Sequence, residues 1–168
     1  KRSALVELHR QIREGQTDKR YYLLAHGAIT QGAQVMQLKY PLHKYLLANG
    51  ERRVRVDPDG LPSHTALRVT KTFQREDAAI TLAEAQLKTG RTHQIRVHFS
   101  ALNHPLVGDT TYGADPVLGK SLAMRRPWLH ALELRFNHPV SGEALVLSAP
   151  YPPDLQGSLA LLSEAVLP

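Results

Sequence analysis

The residues from Lys88 to Gly113, KTGRTHQIRVHFSALNHPLVGDTTYG, concentrate more directed chemistry than any other window of the chain. Arg91 and Arg96, three histidines (His93, His98, His104) and two glycine turns, at Gly90 and at Gly108-Asp109, lie within one short run. A guanidinium can hold a phosphate or a carboxylate through two parallel hydrogen bonds, and a helix start offers unpaired N–H groups to the same anion. The run is therefore fitted to bind an anionic group or to hold a carboxylate in place.

Gln94 to Phe99 alternates polar and apolar as a strand would, but Ile95, Phe99 and Leu102 also fall on one helical stripe at i, i+4, i+7. The spacing predicts a helix, with Thr92 as N-cap after Gly90. Thr92, His93 and Arg96 then share the opposite face near its N-terminus. Arg96 alone would read equally as an ordinary solvated helix arginine; Arg91, His93 and Arg96 behind a glycine turn make a site an even reading. A zinc site is disfavoured. His93 and His98, five apart, point about 140° from one another on a helix, and the chain has no cysteine.

The remaining elements must position this run. With 168 residues, 42% hydrophobic and 21% charged, the chain is long enough for one cored domain or part of a larger one. No apolar run reaches the ~20 residues of a membrane helix. The absence of cysteine excludes disulfides and thiol catalysis, so a cytoplasmic protein is expected. The net charge is +6, and residues 1–55 carry 11 basic and 4 acidic residues, so any basic face is built from the first third. Such an excess leans toward a polyanionic partner, though it also serves plain solubility.

Ser3 can cap a first helix with Leu5, Leu8 and Ile12 on one stripe, and Tyr21 to Ala25 reads as a buried strand. Tyr21 and Tyr22 beside Lys19 and Arg20 could stack a base, or could equally divide between core and surface. Gln34 to Leu38 is a candidate strand, and Pro41 to Gly50 reads as a loop carrying His43, Lys44 and Tyr45. Arg52, Arg53 and Arg55 alternate with apolar residues as on an exposed edge strand before the Asp57-Pro-Asp-Gly60 turn, fitted either to phosphates or to edge protection. Thr65 to Phe73 and Ile80 to Leu87 read as strands joined by a turn at Gln74 to Asp77. Pro116 to Pro127 reads as an irregular loop, 132–136 and 144–147 as an antiparallel pair, and Pro153 onward as a helix burying Leu155, Leu159, Leu162 and Val166. The whole is expected to be one α+β domain on a mostly antiparallel sheet flanked by helices.

Thr89 to His98, followed by Asn103-His-Pro-Leu-Val-Gly-Asp109, resembles the third motif of the RluA-type RNA pseudouridine synthases, with Asn103 where that family usually has Gly. Lys19-Arg-Tyr21 is similar to the family's Lys-x-Tyr motif, and Leu129-His-Ala131, Asn137-His-Pro139, Gly142-Glu143 and Ala149-Pro150 resemble its C-terminal pattern. Gly50 to Arg55 with Gly60 to Ser63 resembles members that act on large-subunit ribosomal RNA. The resemblance covers essentially the whole chain.

It implies the pseudouridine synthase fold and isomerisation of uridines in RNA, with 23S ribosomal RNA the expected substrate, by an aspartate without metal or organic cofactor. Arg96 matches the arginine that pairs with the catalytic aspartate, and Tyr21 the tyrosine that stacks on the uracil. Leu129 matches a pocket-lining position, while Arg91, Thr92 and His93 are expected at the substrate. Lys19, Arg20, Arg52, Arg53 and Arg55 are the expected RNA contacts. The family nucleophile sits in a His-Arg-Leu-Asp motif that no aspartate of this chain matches; Asp109 matches a structural Gly-Asp turn instead. The expectation is thus the C-terminal portion of a catalytic domain, beginning just downstream of the catalytic loop, inactive alone and monomeric. The alternative is a non-catalytic RNA-binding module of the same fold, and a general basic ribosomal protein is a weaker third reading. Retention of Arg96 favours the enzyme if its carboxylate partner is the missing aspartate, since it would otherwise be left unpaired near the core.

Overall fold

A computed structural model describes residues 2–30, 34–75 and 78–164. Its organising strand is β1 (Asp18–His26), whose Tyr21 to Ala25 stretch is apolar because both of its faces are covered. β1 pairs with β6 (Ala78–Leu87) on one side and β7 (Leu129–Asn137) on the other. With β2 (Met36–Leu38), β5 (Thr65–Arg75) and β8 (Ala144–Ser148) they form a six-stranded antiparallel sheet in the order β2-β5-β6-β1-β7-β8. The α+β class and antiparallel sheet expected from the sequence are present. Glu76 and Asp77 of the expected β5–β6 turn, and Val166 of the last helix, lie outside the described residues.

Alternation along β1 divides the core into two layers. Leu23 and Ala25 join Ala83, Ala85, Ile95, Phe99 and Leu106 under α2 (Gln94–Ala101). Leu24 turns the other way to Ile80, Trp128, Leu155 and Leu162, where α4 (Pro153–Glu164) closes the second layer. Trp128 is fully buried, and its indole N–H donates to Ser158 of α4, so the largest core side chain has its one donor satisfied. The Ile95, Phe99, Leu102 stripe is the buried face of α2 as its spacing requires; burying Ile95 and Phe99 is worth roughly 1.5–3 kcal/mol each.

Four expectations are corrected. His93, not Thr92, is the N-cap of α2, in a left-handed conformation (φ 52°, ψ 21°) and without a side-chain cap bond. The loop expected at Pro41 to Gly50 holds β3 (Leu42–Leu46), which pairs with β4 (Arg52–Val56) in a separate two-stranded sheet; its exposed polar residues concealed the strand pattern. Asp115, whose carboxylate accepts from the Val117 N–H, caps a short α3 (Pro116–Ser121) inside the expected irregular loop. In α1 (Arg2–Arg13) Leu5 and Ile12 are exposed and Gln11 is buried, because the Gln11 amide both donates to and accepts from the backbone of Asn137 at the end of β7. Among the described residues no helix is long and apolar enough to cross a membrane.

Candidate active site

The turn that delivers β6 to α2 is closed by Gln94, the first helical residue and almost wholly buried. Its side-chain oxygen accepts from the Arg91 N–H (3.0 Å) and the Thr89 hydroxyl (2.8 Å), while its amide donates to His64 O and Thr65 Oγ1. The contact to the N–H three residues back spans the turn ahead of the N-cap and closes it. Gln94 thus forces the tight reversal that leaves His93 at positive φ, a conformation costing roughly 1–2 kcal/mol for a residue with a Cβ.

Arg96 projects from the first turn of α2 onto Asp109. Its Nε and Nη2 donate to Oδ2 and Oδ1, each at 2.7 Å, and the Asp109 side chain is 1% exposed. The guanidinium lies 4.8 Å from the Tyr112 ring centroid, and Asp109 holds its pKa above the ordinary arginine value. This corrects the expectation that Arg96 lacks a partner within the chain: its retention does not separate the enzyme from a binding module. Asp109 is held in turn by Gly108, at φ +82°, where a Cβ would stand 2.3 Å from the carbonyl oxygen of Arg126. Both oxygens of Asp109 are engaged by Arg96. The Nη1 edge of Arg96 has no hydrogen-bond partner among the described residues, so the end of the fork remains available to a second carboxylate.

Tyr112 ties this pair to His93. The Val54 N–H donates to the Tyr112 hydroxyl oxygen (3.1 Å), which also hydrogen-bonds Nδ1 of the His93 imidazole at 2.7 Å; in the neutral imidazole that nitrogen either accepts the hydroxyl proton or donates to the oxygen's second lone pair. Burial, followed by the charge of Arg96, pushes the His93 pKa down and favours this neutral form. His98, on the other side of the helix, donates from Nε2 to Tyr40 O (3.0 Å) and accepts at Nδ1 from Thr65 Oγ1 (3.0 Å). The two histidines therefore serve different partners on different sides of α2.

Tyr21 lies on the same layer, packed with Leu129 against the cluster that Ile95 and Phe99 close. Across from it the β1–β7 register shifts between Arg20 and Tyr21, leaving Leu132 of β7 as the extra residue of a bulge. Bulges sharpen the local twist and re-aim neighbouring side chains. Tyr21, Lys19, Ala131, Leu134, Leu147 and Ala149 line an open, mostly apolar cavity of about 280 Å³. Tyr21 and Leu129 are thus brought together, while Arg96 stands beside Asp109 and Tyr112, with no hydrogen bond or ring contact to Tyr21 among the described residues.

The expected RNA contacts are differently placed. Arg20 is engaged by Asp18 and Glu84, with Glu133 at 3.9 Å. Arg53 donates to Thr111 O and pairs with Glu51, and Arg55 pairs with Asp57. Arg52 is exposed, Lys19 half-buried, and Arg91 exposed with its Nε on Pro62 O at 3.2 Å. Thr92 is exposed beside it. Sequence reasoning did not single out Gln94 or Tyr112. Arg91 is no capping residue, so no capping pattern announces the first, and nothing local announces that Tyr112 meets Val54 and His93.

Residues 1–101 match the RNA pseudouridylate synthase family. The chain is 40% identical over 167 residues to ribosomal large subunit pseudouridine synthase C of Pasteurella multocida, covering 98% of this chain and 49% of that protein. It is 38% identical over 159 residues to an uncharacterized RNA pseudouridine synthase of Mycobacterium bovis, covering 95% of this chain and 49% of the relative. The chain thus spans about half the length of the curated relatives it matches. The solved structure of human RNA pseudouridylate synthase domain containing 1 superimposes with a TM-score of 0.74 at 28% identity, over 94% of this chain and 65% of that one. The chain belongs to the RNA pseudouridine synthase family.

Proposed function

We propose that this chain is the C-terminal portion of the catalytic domain of an enzyme that isomerises uridines in large-subunit ribosomal RNA to pseudouridine. The reaction is aspartate-dependent and needs no metal or organic cofactor; the protein is a cytoplasmic monomer whose partner is RNA. The observation that carries the reading is the state of Arg96. Asp109 grips one edge of its guanidinium, Tyr112 covers its face, and the other edge is left unbonded, so it is oriented to receive a further carboxylate. A catalytic aspartate placed there would be held ionised and aimed by a fixed cation. Tyr21, lining an apolar cavity and packed on the same core cluster as Leu129, supplies a surface on which a flipped uracil can stack. His93, at the mouth of α2, is set to meet the nucleotide's polar edge.

The test uses the protein that carries this chain together with the family's aspartate motif. Tritium release from C5 of uridine-labelled large-subunit ribosomal RNA is measured for the wild type and for Arg96→Ala. Turnover is expected to vanish while RNA binding stays within about threefold; unchanged turnover overturns the role given to Arg96.

A further inference from the structure

The hairpin β3–β4 and the turn before α2 enclose a groove of about 500 Å³ that is separate from the Tyr21 cavity. Its volume lies within the roughly 300–1,000 Å³ range of small-ligand clefts. Leu42 and Val54, themselves buried against Val97 of α2, back the groove, and the exposed Leu61 supplies its accessible apolar surface. The rim carries Lys44 and Arg91, neither of which has a carboxylate partner among the described residues. Arg91 is held by its Nε on Pro62 O, so its terminal nitrogens are free to donate over the groove. Asp59 lines the groove as well, and its negative charge disfavours an anion next to it.

The walls are fixed before any ligand arrives. Leu42 and Leu61 exchange backbone hydrogen bonds at 2.9 and 2.8 Å, and the Asp57 N–H donates to Pro41 O at 3.0 Å. Gly60 makes this approach possible: a Cβ there would lie 2.6 Å from the Leu42 backbone. The opposite wall is the turn closed by Gln94. An exposed apolar side chain, Leu61, in one groove with two cations unpaired among the described residues suits a single unstacked nucleotide, base against Leu61 and phosphate on Lys44 or Arg91.

We infer that this groove is a second nucleotide subsite, which takes a single-stranded nucleotide of the RNA flanking the uridine to be modified. The inference rests on the RNA reading given above. It shifts RNA recognition away from Arg20, Arg53 and Arg55, whose guanidinium groups are engaged within the chain, to Lys44 and Arg91.

The test measures fluorescence anisotropy of labelled decauridylate, and of the same oligomer with abasic residues, against the intact chain over a series of salt concentrations. Lys44→Ala and Arg91→Ala are each expected to weaken decauridylate binding at least fivefold and to reduce the salt slope by roughly 0.7, one single-strand phosphate contact. Lys120→Ala, on α3 in the opposite layer, is expected to change affinity less than twofold. Leu61→Ala, which alters no charge, is expected to narrow the preference for the base-bearing oligomer over the abasic one. Losses for Lys44→Ala and Arg91→Ala no larger than for Lys120→Ala overturn the subsite. So does equal affinity of the wild type for the two oligomers, or no binding of either at low salt. In each case the pseudouridine reading stands or falls separately, on tritium release.

Discussion

The same four residue types meet twice in this molecule, with different results. Arg96, Asp109, Tyr112 and His93 form one set; Arg55, Asp57, Tyr45 and His43 form the other. In both, an arginine pairs with an aspartate and lies over a tyrosine ring, at 4.8 Å in the first and 5.4 Å in the second. The first pair uses both carboxylate oxygens at 2.7 Å and is 19% and 1% exposed; the second uses one oxygen at 3.0–3.2 Å and is 59% and 19% exposed. Sequence separation explains the contrast. Arg96 and Asp109 join a helix to a turn thirteen residues away, whereas Arg55 and Asp57 are two apart at the end of one strand. A non-local buried pair fixes the geometry of a site, and a local exposed pair constrains only itself.

Removing the carboxylate from each set gives the largest expected contrast. Asp109→Asn leaves the Arg96 charge half-buried without its counter-ion, a loss of about 3–5 kcal/mol for a pair broken in this way. Asp57→Asn should leave the denaturation midpoint where it is, since exposed ion pairs are screened by solvent. Chemical denaturation of the two variants side by side decides the matter, and equal losses would break the comparison.

The next effect acts on the backbone that carries Asp109. Gly108→Ala places a Cβ against the Arg126 carbonyl at a positive φ, and a forced overpacking of this kind costs about 1–3 kcal/mol. Gly142, also at positive φ but with open space around it, provides the control. Thermal melts should show Gly108→Ala clearly below Gly142→Ala; the reverse order would mean that the turn is not held where the structure puts it.

How much of this was legible beforehand follows the same division. Ile95, Phe99 and Leu102 disclosed the helix and its buried face, and the strands at 65–73 and 80–87 were readable because burial imposes a periodic pattern on local sequence. The motif also placed Arg96, Tyr21 and Leu129 together as candidates. The partner of Arg96 was not legible, since a Gly-Asp turn looks the same whether its carboxylate faces water or a guanidinium. β3 was missed because a strand with one buried residue, Leu42, has no alternation to detect. In α1, Gln11 rather than a leucine is buried, because a side-chain amide can stand in for a strand's backbone at Asn137; an apolar stripe cannot reveal that.

A smaller effect separates the two sides of α2 by pH. His98 is buried as the neutral imidazole, donating to Tyr40 O and accepting from Thr65, and burial lowers its pKa. Because the unfolded histidine, with pKa near 6.5, binds its proton more readily, unfolding free energy should fall as pH drops below about 6.5. The contribution is at most about 1.4 kcal/mol per pH unit for one proton. His26, His64 and His93 are shifted in the same direction, also chiefly by burial, so they add to the slope. His98→Gln can keep both hydrogen bonds without titrating. Its stability measured between pH 7 and pH 5 should fall less steeply than the wild type's, and an identical slope would show that His98 is not held neutral.

The smallest effect inverts the first. Asp57 accepts the Asp59 N–H and, next in weight, holds Arg55 by two hydrogen bonds to one oxygen, which keeps its carboxyl below the usual range. Asparagine retains an acceptor for that N–H, so the turn survives in Asp57→Asn, but the substitution removes a negative charge and loosens the guanidinium. The hairpin then gains a cation free to meet a phosphate. Affinity for decauridylate should rise by about twofold at low salt, with a steeper salt dependence, because each added phosphate contact releases counter-ions. The same change at Asp109 is read in stability instead, since it leaves a partly buried guanidinium without its counter-ion. A variant that binds RNA more weakly than wild type would mean that Arg55 must be held by Asp57 to serve the interface, and the hairpin would then belong with the fixed region of the molecule.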